Sequence, residues 1–175
     1  MGTQAQGTGC VRIVICDTGP ILHLREAEAL ELLAAAGDII IPPAVERELE
    51  TRLSDWPTNR PRWLQVRRLS NEESGQAEGL MAMGGLGLGE AEAIAIARSL
   101  RADWLLTDDA GARVVASVLG LEVHGSLGVV LWAATSGNLQ RQEALSALER
   151  LAKSSLWISP TILHEARRAL ESLFS

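Results

Sequence analysis

Four groups of carboxylates in this sequence sit where they could do chemistry. Asp17 follows VRIVIC, a short β-branched apolar run, and Asp108 and Asp109 follow WLLT. Glu46, Glu48 and Glu50 fall in PPAVERELE, and Glu90 and Glu92 open AEAIAIARSL. In a parallel α/β sheet, ligands bind beyond the carboxyl ends of the strands. Acids placed just after buried strands, or at helix starts, can therefore converge on one edge. Converging carboxylates repel one another unless a divalent cation neutralises them, and an all-oxygen set suits Mg²⁺ or Mn²⁺ rather than zinc. A cation held this way can activate water and stabilise the leaving oxygen in phosphodiester hydrolysis. Each acid also has an ordinary role open to it. Asp17, and one of Asp108 and Asp109, could cap the helix that follows. Glu90 and Glu92 suit the positive end of a helix dipole, and Glu48 could be a solvated helix residue.

These acids need strands and helices to hold them. Residues 11–16 and 38–41 read as buried strands, 104–106 and LEVHG as two more, and 63–69 as an exposed or edge strand. Between them the pattern predicts a helix from Pro20 to a stop at Gly37, and another opened by Pro42 and Pro43. A third is capped by Ser70 or Asn71, a fourth starts at Glu90, and a fifth covers GARVVASVLG. Residues 54–61 read as a connection. Two or three helices close the chain, with a break at SSLWISP where Ser159 or Pro160 restarts the helix. The β-α alternation predicts an α/β protein, a three-layer α/β/α sandwich around a mostly parallel central sheet.

Composition narrows the partners. Net charge is −6, from 16 Lys+Arg against 22 Asp+Glu, so there is no general attraction for nucleic acid. An anionic partner must be drawn by a local patch or a bound cation. The one lysine, Lys153, excludes most catalytic-lysine mechanisms. Cys10 and Cys16, too far apart along an extended segment to pair, point to a reducing, cytoplasmic setting. The first ten residues lack the features of a signal peptide, and the longest uncharged run, 123–140, is too polar to span a bilayer. His23, His124 and His164 show no metal spacing, and His23 reads as a packing or surface residue. GGLGLGE lacks the Gly-Lys-Ser/Thr of a phosphate loop and reads as a hinge. Arg60, Arg62, Arg67 and Arg68, interleaved with Trp56 and Trp63, would suit single-stranded RNA; the alternative is a solvated edge strand with a packed Trp. A receiver domain would need an acid pair after the first strand and a late lysine. A haloacid-dehalogenase-type phosphatase would need an Asp where Gly19 stands. LMAMGGLGLG could support a homodimer.

Five segments, in order, carry a resemblance: VICDTGPILHL, IIIPPAVERELE, GLGEAEAIAIARSL, ADWLLTDDAGARVVA and LEVHGSLGVVLWA. Together they resemble the PIN-domain family, in particular its small prokaryotic VapC-like toxin ribonucleases. The resemblance implies a metal-dependent endoribonuclease using Mg²⁺ or Mn²⁺, with RNA as substrate and an antitoxin protein as a partner. By motif, it makes Asp17 the first acid and Glu48 the second, with Glu46 as the less regular register. Glu90 is preferred to Glu92 because Ala95 and Ala97 then fall where the family's helix places small residues. Asp109 is the last acid, with Asp108 close behind. Asp17, Glu90 and Asp109 are then primary metal ligands, Asp108 stands with them, and Glu48 completes the cluster. Thr107 and Ser126 are hydroxyls beside the site, available to RNA. The resemblance covers residues 11–136, expected to form the nuclease domain. Residues 1–10 are expected to be a flexible tail, and 137–175 a helical extension packed on the same domain.

Overall fold

The computed structural model describes residues 11–175, so the expected tail and Cys10 lie outside the described residues. β1 (Ile13–Cys16) is the middle of a five-stranded, all-parallel sheet of order β3-β2-β1-β4-β5. The other strands are β2 (Asp38–Ile41), β3 (Leu64–Val66), β4 (Trp104–Leu106) and β5 (Val123–His124). Val14 and Cys16 face one cluster of the core and Ile15 the other, all fully buried. That is the pattern of a sheet covered on both faces.

One face carries α1 (Thr18–Glu26), α2 (Leu32–Ala36), α8 (Ser126–Thr135) and α9 (Arg141–Ala152), packed through Ile21, Leu24, Leu33, Val129 and Leu151. The other carries α5 (Asn71–Ala82), α6 (Leu88–Leu100) and α7 (Ala110–Val118). From Ala93 to Ala97 every α6 residue is buried, and the alternating alanines let the helix lie close to β1, β4 and α5. Full burial of Ile94 and Ile96 contributes about 2–3 kcal/mol each. α3 (Pro43–Arg52) bridges α1 and α6, and α10 (Pro160–Leu173) packs on α8 and α9 through Ala166 and Leu170. The α/β/α sandwich expected from the strand-helix alternation is the fold observed.

Three local expectations need correction. The helix from Pro20 to Gly37 is two helices, broken at Glu28, which has φ +52°. Local propensity favours one helix through EAEALELLAAA, but the turn lets Ala27, Ala29 and Leu33 all enter the core. Arg150 of α9 donates Nε to the Ala27 carbonyl at 2.7 Å, satisfying the freed end of α1. Residues 54–61 contain a short helix, α4 (Trp56–Asn59), which buries Trp56 completely. α6 starts at Leu88 rather than Glu90, because the Glu90 carboxylate turns back to accept from the Gly87 N–H.

Candidate active site

β1 and β4 are neighbours in the middle of the sheet, and the chain reverses its direction of winding between them. That switch point is where open α/β sheets bind ligands. Their register sets Cys16 opposite Leu106, and the Asp17 N–H continues the ladder to the Leu106 carbonyl at 2.9 Å. Asp17 and Thr107, 90 positions apart, are thereby brought side by side. Thr107 Oγ1 donates to Asp17 Oδ2 at 2.9 Å, and the Thr18 N–H donates to Asp17 Oδ1 at 2.7 Å. Asp17 is 5% exposed. Its carboxyl is pushed up to about 6, chiefly by burial and further by the charges of Glu90 and Glu48; the Thr18 and Thr107 hydrogen bonds oppose the rise.

The other acids arrive from three further elements. Glu48, on α3, accepts from the Thr18 hydroxyl at 2.6 Å. Glu90, in the first turn of α6, is raised by burial and by the charges of Asp109 and Glu48. Asp109 caps α7 through Oδ1, which accepts from Ala112 N at 2.7 Å. Asp108 is held by three donors: Ser126 N at 2.7 Å, Ser126 Oγ at 2.5 Å and His23 Nδ1 at 2.7 Å. Burial would raise Asp108, but the bonds from His23 and Ser126 outweigh it and hold the carboxyl below its usual range. Asp17, Glu48, Glu90, Asp108 and Asp109 all line one open cleft of about 410 Å³, with Arg52 at its rim. Close backbone contact supports the arrangement. A Cβ on Gly89 would lie 2.9 Å from Glu48 Oε1, and one on Gly125 would lie 2.6 Å from Asp108 Oδ1.

The alternatives among neighbouring acids resolve geometrically. Glu46 turns to Trp56 Nε1 and Arg60, and Glu92 accepts from Ala44 N, so neither lines the cleft. Capping and cleft positions coincide at Asp17 and Asp109; Asp109 caps with Oδ1 alone, while both Asp17 oxygens accept a hydrogen bond and keep their remaining lone pairs. Asp17, Glu90 and Asp109 also sit at helix N-termini, where the dipoles offset part of their repulsion.

The residues expected to contact RNA lie elsewhere than in the open cleft. Thr107 and Ser126 are 1% and 0% exposed with their hydroxyls committed to Asp17 and Asp108, so they position acids and cannot touch RNA. In the basic stretch, Arg60 pairs with Glu46 and Arg67 with the buried Glu73; Trp56 lies in the core and offers no stacking face. Arg62 and Arg68 are exposed, but none of the four arginines lines the cleft. His23, expected in packing or at the surface, stands in the cleft wall against Asp108. No spacing in the chain could have signalled that pair, since its members lie 85 positions apart.

Among the described residues, no three His, Cys, Asp or Glu side chains form a ready group for a metal ion. Each acid of the cleft turns at least one oxygen to a donor of its own chain. The donor set still fits a hard divalent cation. It is all oxygen, and the mutual charges that raise Asp17 and Glu90 are what such an ion would relieve. No described helix is long and apolar enough to cross a membrane. A search of curated proteins finds no match. A family model for the PIN domain, a nuclease-type fold, matches residues 13–172, nearly the whole described chain, and the chain belongs to the PIN-domain family.

Proposed function

We propose that this protein is a metal-dependent endoribonuclease that hydrolyses RNA phosphodiester bonds at the carboxylate cleft. The observation that carries the reading is Asp17: a buried carboxyl at the switch point of the sheet, pushed to about 6 by burial and by two neighbouring carboxylates. A Mg²⁺ or Mn²⁺ ion would be held by Asp17, Glu90 and Asp109, with Asp108 beside them and Glu48 completing the charge. When bound, the ion supplies a more acidic water and positive charge for the phosphate. The chain's own residues do the positioning. Thr107 fixes Asp17 and accepts from the Asp109 N–H at 3.2 Å, linking the ends of β1 and β4. Thr18 holds Glu48 in place, while Ser126 and His23 clamp Asp108. Arg52, at the rim, is placed to meet a phosphate.

Incubation of a mixed pool of structured and single-stranded RNAs with Mn²⁺ tests this, wild type beside Asp17→Asn. Cleavage by the wild type alone is expected; equal cleavage by Asp17→Asn overturns the mechanism. A DNA pool run in parallel reads the sugar preference. The acids' turn toward their own chain favours a second reading, a catalytically silent RNA- or protein-binding module. Mn²⁺ titration separates the two, because a working site stabilises the fold by mass action and a silent one does not. The VapC-like resemblance extends the proposal to the toxin of a toxin–antitoxin pair, checked by relief of growth arrest on coexpression with a neighbouring small protein. Homodimerisation through the segment around Met81, Met83 and Leu88, all exposed, is checked by sedimentation.

A further inference from the structure

Trp157 stands apart from the other tryptophans. Trp56 and Trp104 are buried, Trp63 and Trp132 are partly covered, and Trp157 is 82% exposed. Such a ring gives up most of its burial energy unless a partner covers it. It is also held firmly from both sides. Before it, Ser155 gives its backbone N–H and its hydroxyl to Glu26, at 2.6 and 2.9 Å. After it, Ser159 caps α10 by accepting from Ile162 N at 3.2 Å. Leu156 and Ile158, on either side, pack against the core, so alternation leaves the indole between them facing out.

The ring borders two hollows. One is the carboxylate cleft. The other, of about 430 Å³, is lined by Leu127, Leu131, Ile158 and Ile162, with Arg113 and His124 also on its wall. Asp108, Leu156 and Trp157 line both, so the hollows adjoin at the indole. An exposed aromatic face on an anchored backbone, an apolar floor and a guanidinium next to the carboxylates match one nucleotide whose phosphate lies in the cleft and whose base has left the strand. Bases stack on aromatic side chains with little regard to sequence, provided they are unpaired.

We infer that Trp157 is a stacking platform for an unpaired nucleobase next to the phosphodiester at the carboxylate cleft. This rests on the ribonuclease reading. The test compares the wild-type chain with Trp157→Ala and Trp157→Phe and measures binding, with Mn²⁺, of a short labelled single-stranded RNA with cleavage-resistant phosphorothioate linkages by anisotropy. The same RNA with an abasic site moved along it, and its duplex, are measured alongside. Trp157→Ala should weaken single-strand binding about 5- to 100-fold, with Trp157→Phe recovering most of it. At the stacked position the abasic RNA should make all three proteins bind alike, and duplex binding should ignore the substitutions. Mn²⁺-dependent cleavage is followed in the active chain with and without Trp157→Ala. Unchanged binding and cleavage overturn the platform while leaving the ribonuclease reading intact. No binding and no cleavage by any protein overturns both. A Trp157→Ala protein that binds RNA normally but loses a dimer in sedimentation assigns the hollow to a second copy of the chain, and also overturns the inference.

Discussion

Replacing Asp17 with Asn should stabilise the metal-free protein while abolishing its activity. The Asp17 carboxyl moves from 3.8 to about 6 on folding, mainly through burial and then through Glu90 and Glu48. That displacement corresponds to about 3 kcal/mol of stability withheld at neutral pH. The sign follows from proton binding. Between about pH 4 and pH 6 the native state holds the Asp17 proton more tightly than the unfolded chain does. Stability therefore falls as pH rises through that window, and the penalty is complete above about pH 6 and absent below about pH 4. Asn keeps the Thr18 bond through its oxygen, but its amide group must then donate to Thr107, whose hydroxyl has to turn its proton away. Reversing that bond costs about 1 kcal/mol. The net gain of about 2 kcal/mol corresponds to about 4–8 °C in Tm for a chain of this size. Denaturation of both proteins in a chelator, from about pH 8 down to about pH 4, should show Asp17→Asn ahead at the alkaline end and the gap closing toward acid. Excess Mn²⁺ should reverse the order, because only the wild type gains from binding. An Asn variant less stable than wild type at alkaline pH, or a gap indifferent to pH, would refute the reasoning.

Other substitutions probe the supports. Thr107→Val removes the hydroxyl that steadies ionised Asp17, so activity should fall about 10- to 100-fold and the acid limb of its pH profile should move upward; an unmoved limb contradicts the role given to Thr107. Gly89→Ala pushes a Cβ against Glu48 Oε1 and Val45, and should weaken Mn²⁺ binding in calorimetry while changing stability by less than about 1 kcal/mol. Arg67→Met strips two hydrogen bonds from Glu73, which is 2% exposed. Burial pushes Glu73 upward, but Arg67 and the Ser70 N–H hold it at about 2. Its contribution to stability is therefore full above about pH 4.5 and lost as pH falls toward 2. The variant should lose about 2 kcal/mol at neutral pH, less in acid, and bind RNA like the wild type in anisotropy.

The order of strands and helices was legible because β-branched runs, Pro starts and Ser caps are local signals, and β1, β2, β4 and the Ser70 cap of α5 fall where those signals put them. Most of the candidate acids were legible for the same reason, standing just after a strand or near a helix start; Glu48 lies in the middle of α3. The break at Glu28 was not, because it is settled by what Ala27, Ala29 and Leu33 meet across the core, and by an arginine that lies 123 positions later in the chain. Nor was the choice between neighbouring acids. Two positions along a helix are a rotation of about 200°, so Glu46 and Glu48, or Glu90 and Glu92, point almost oppositely. Only the packing of α3 against α1 and α6 decides which one faces the cleft. Thr107, Ser126 and His23 show the same division. Their types are visible in the sequence, but the bonds that give them work span 90, 18 and 85 positions. Residue type and local pattern determined which groups could do chemistry and which elements carry them. Strand register and helix rotation, set by burial across the whole core, decided which of those groups meet.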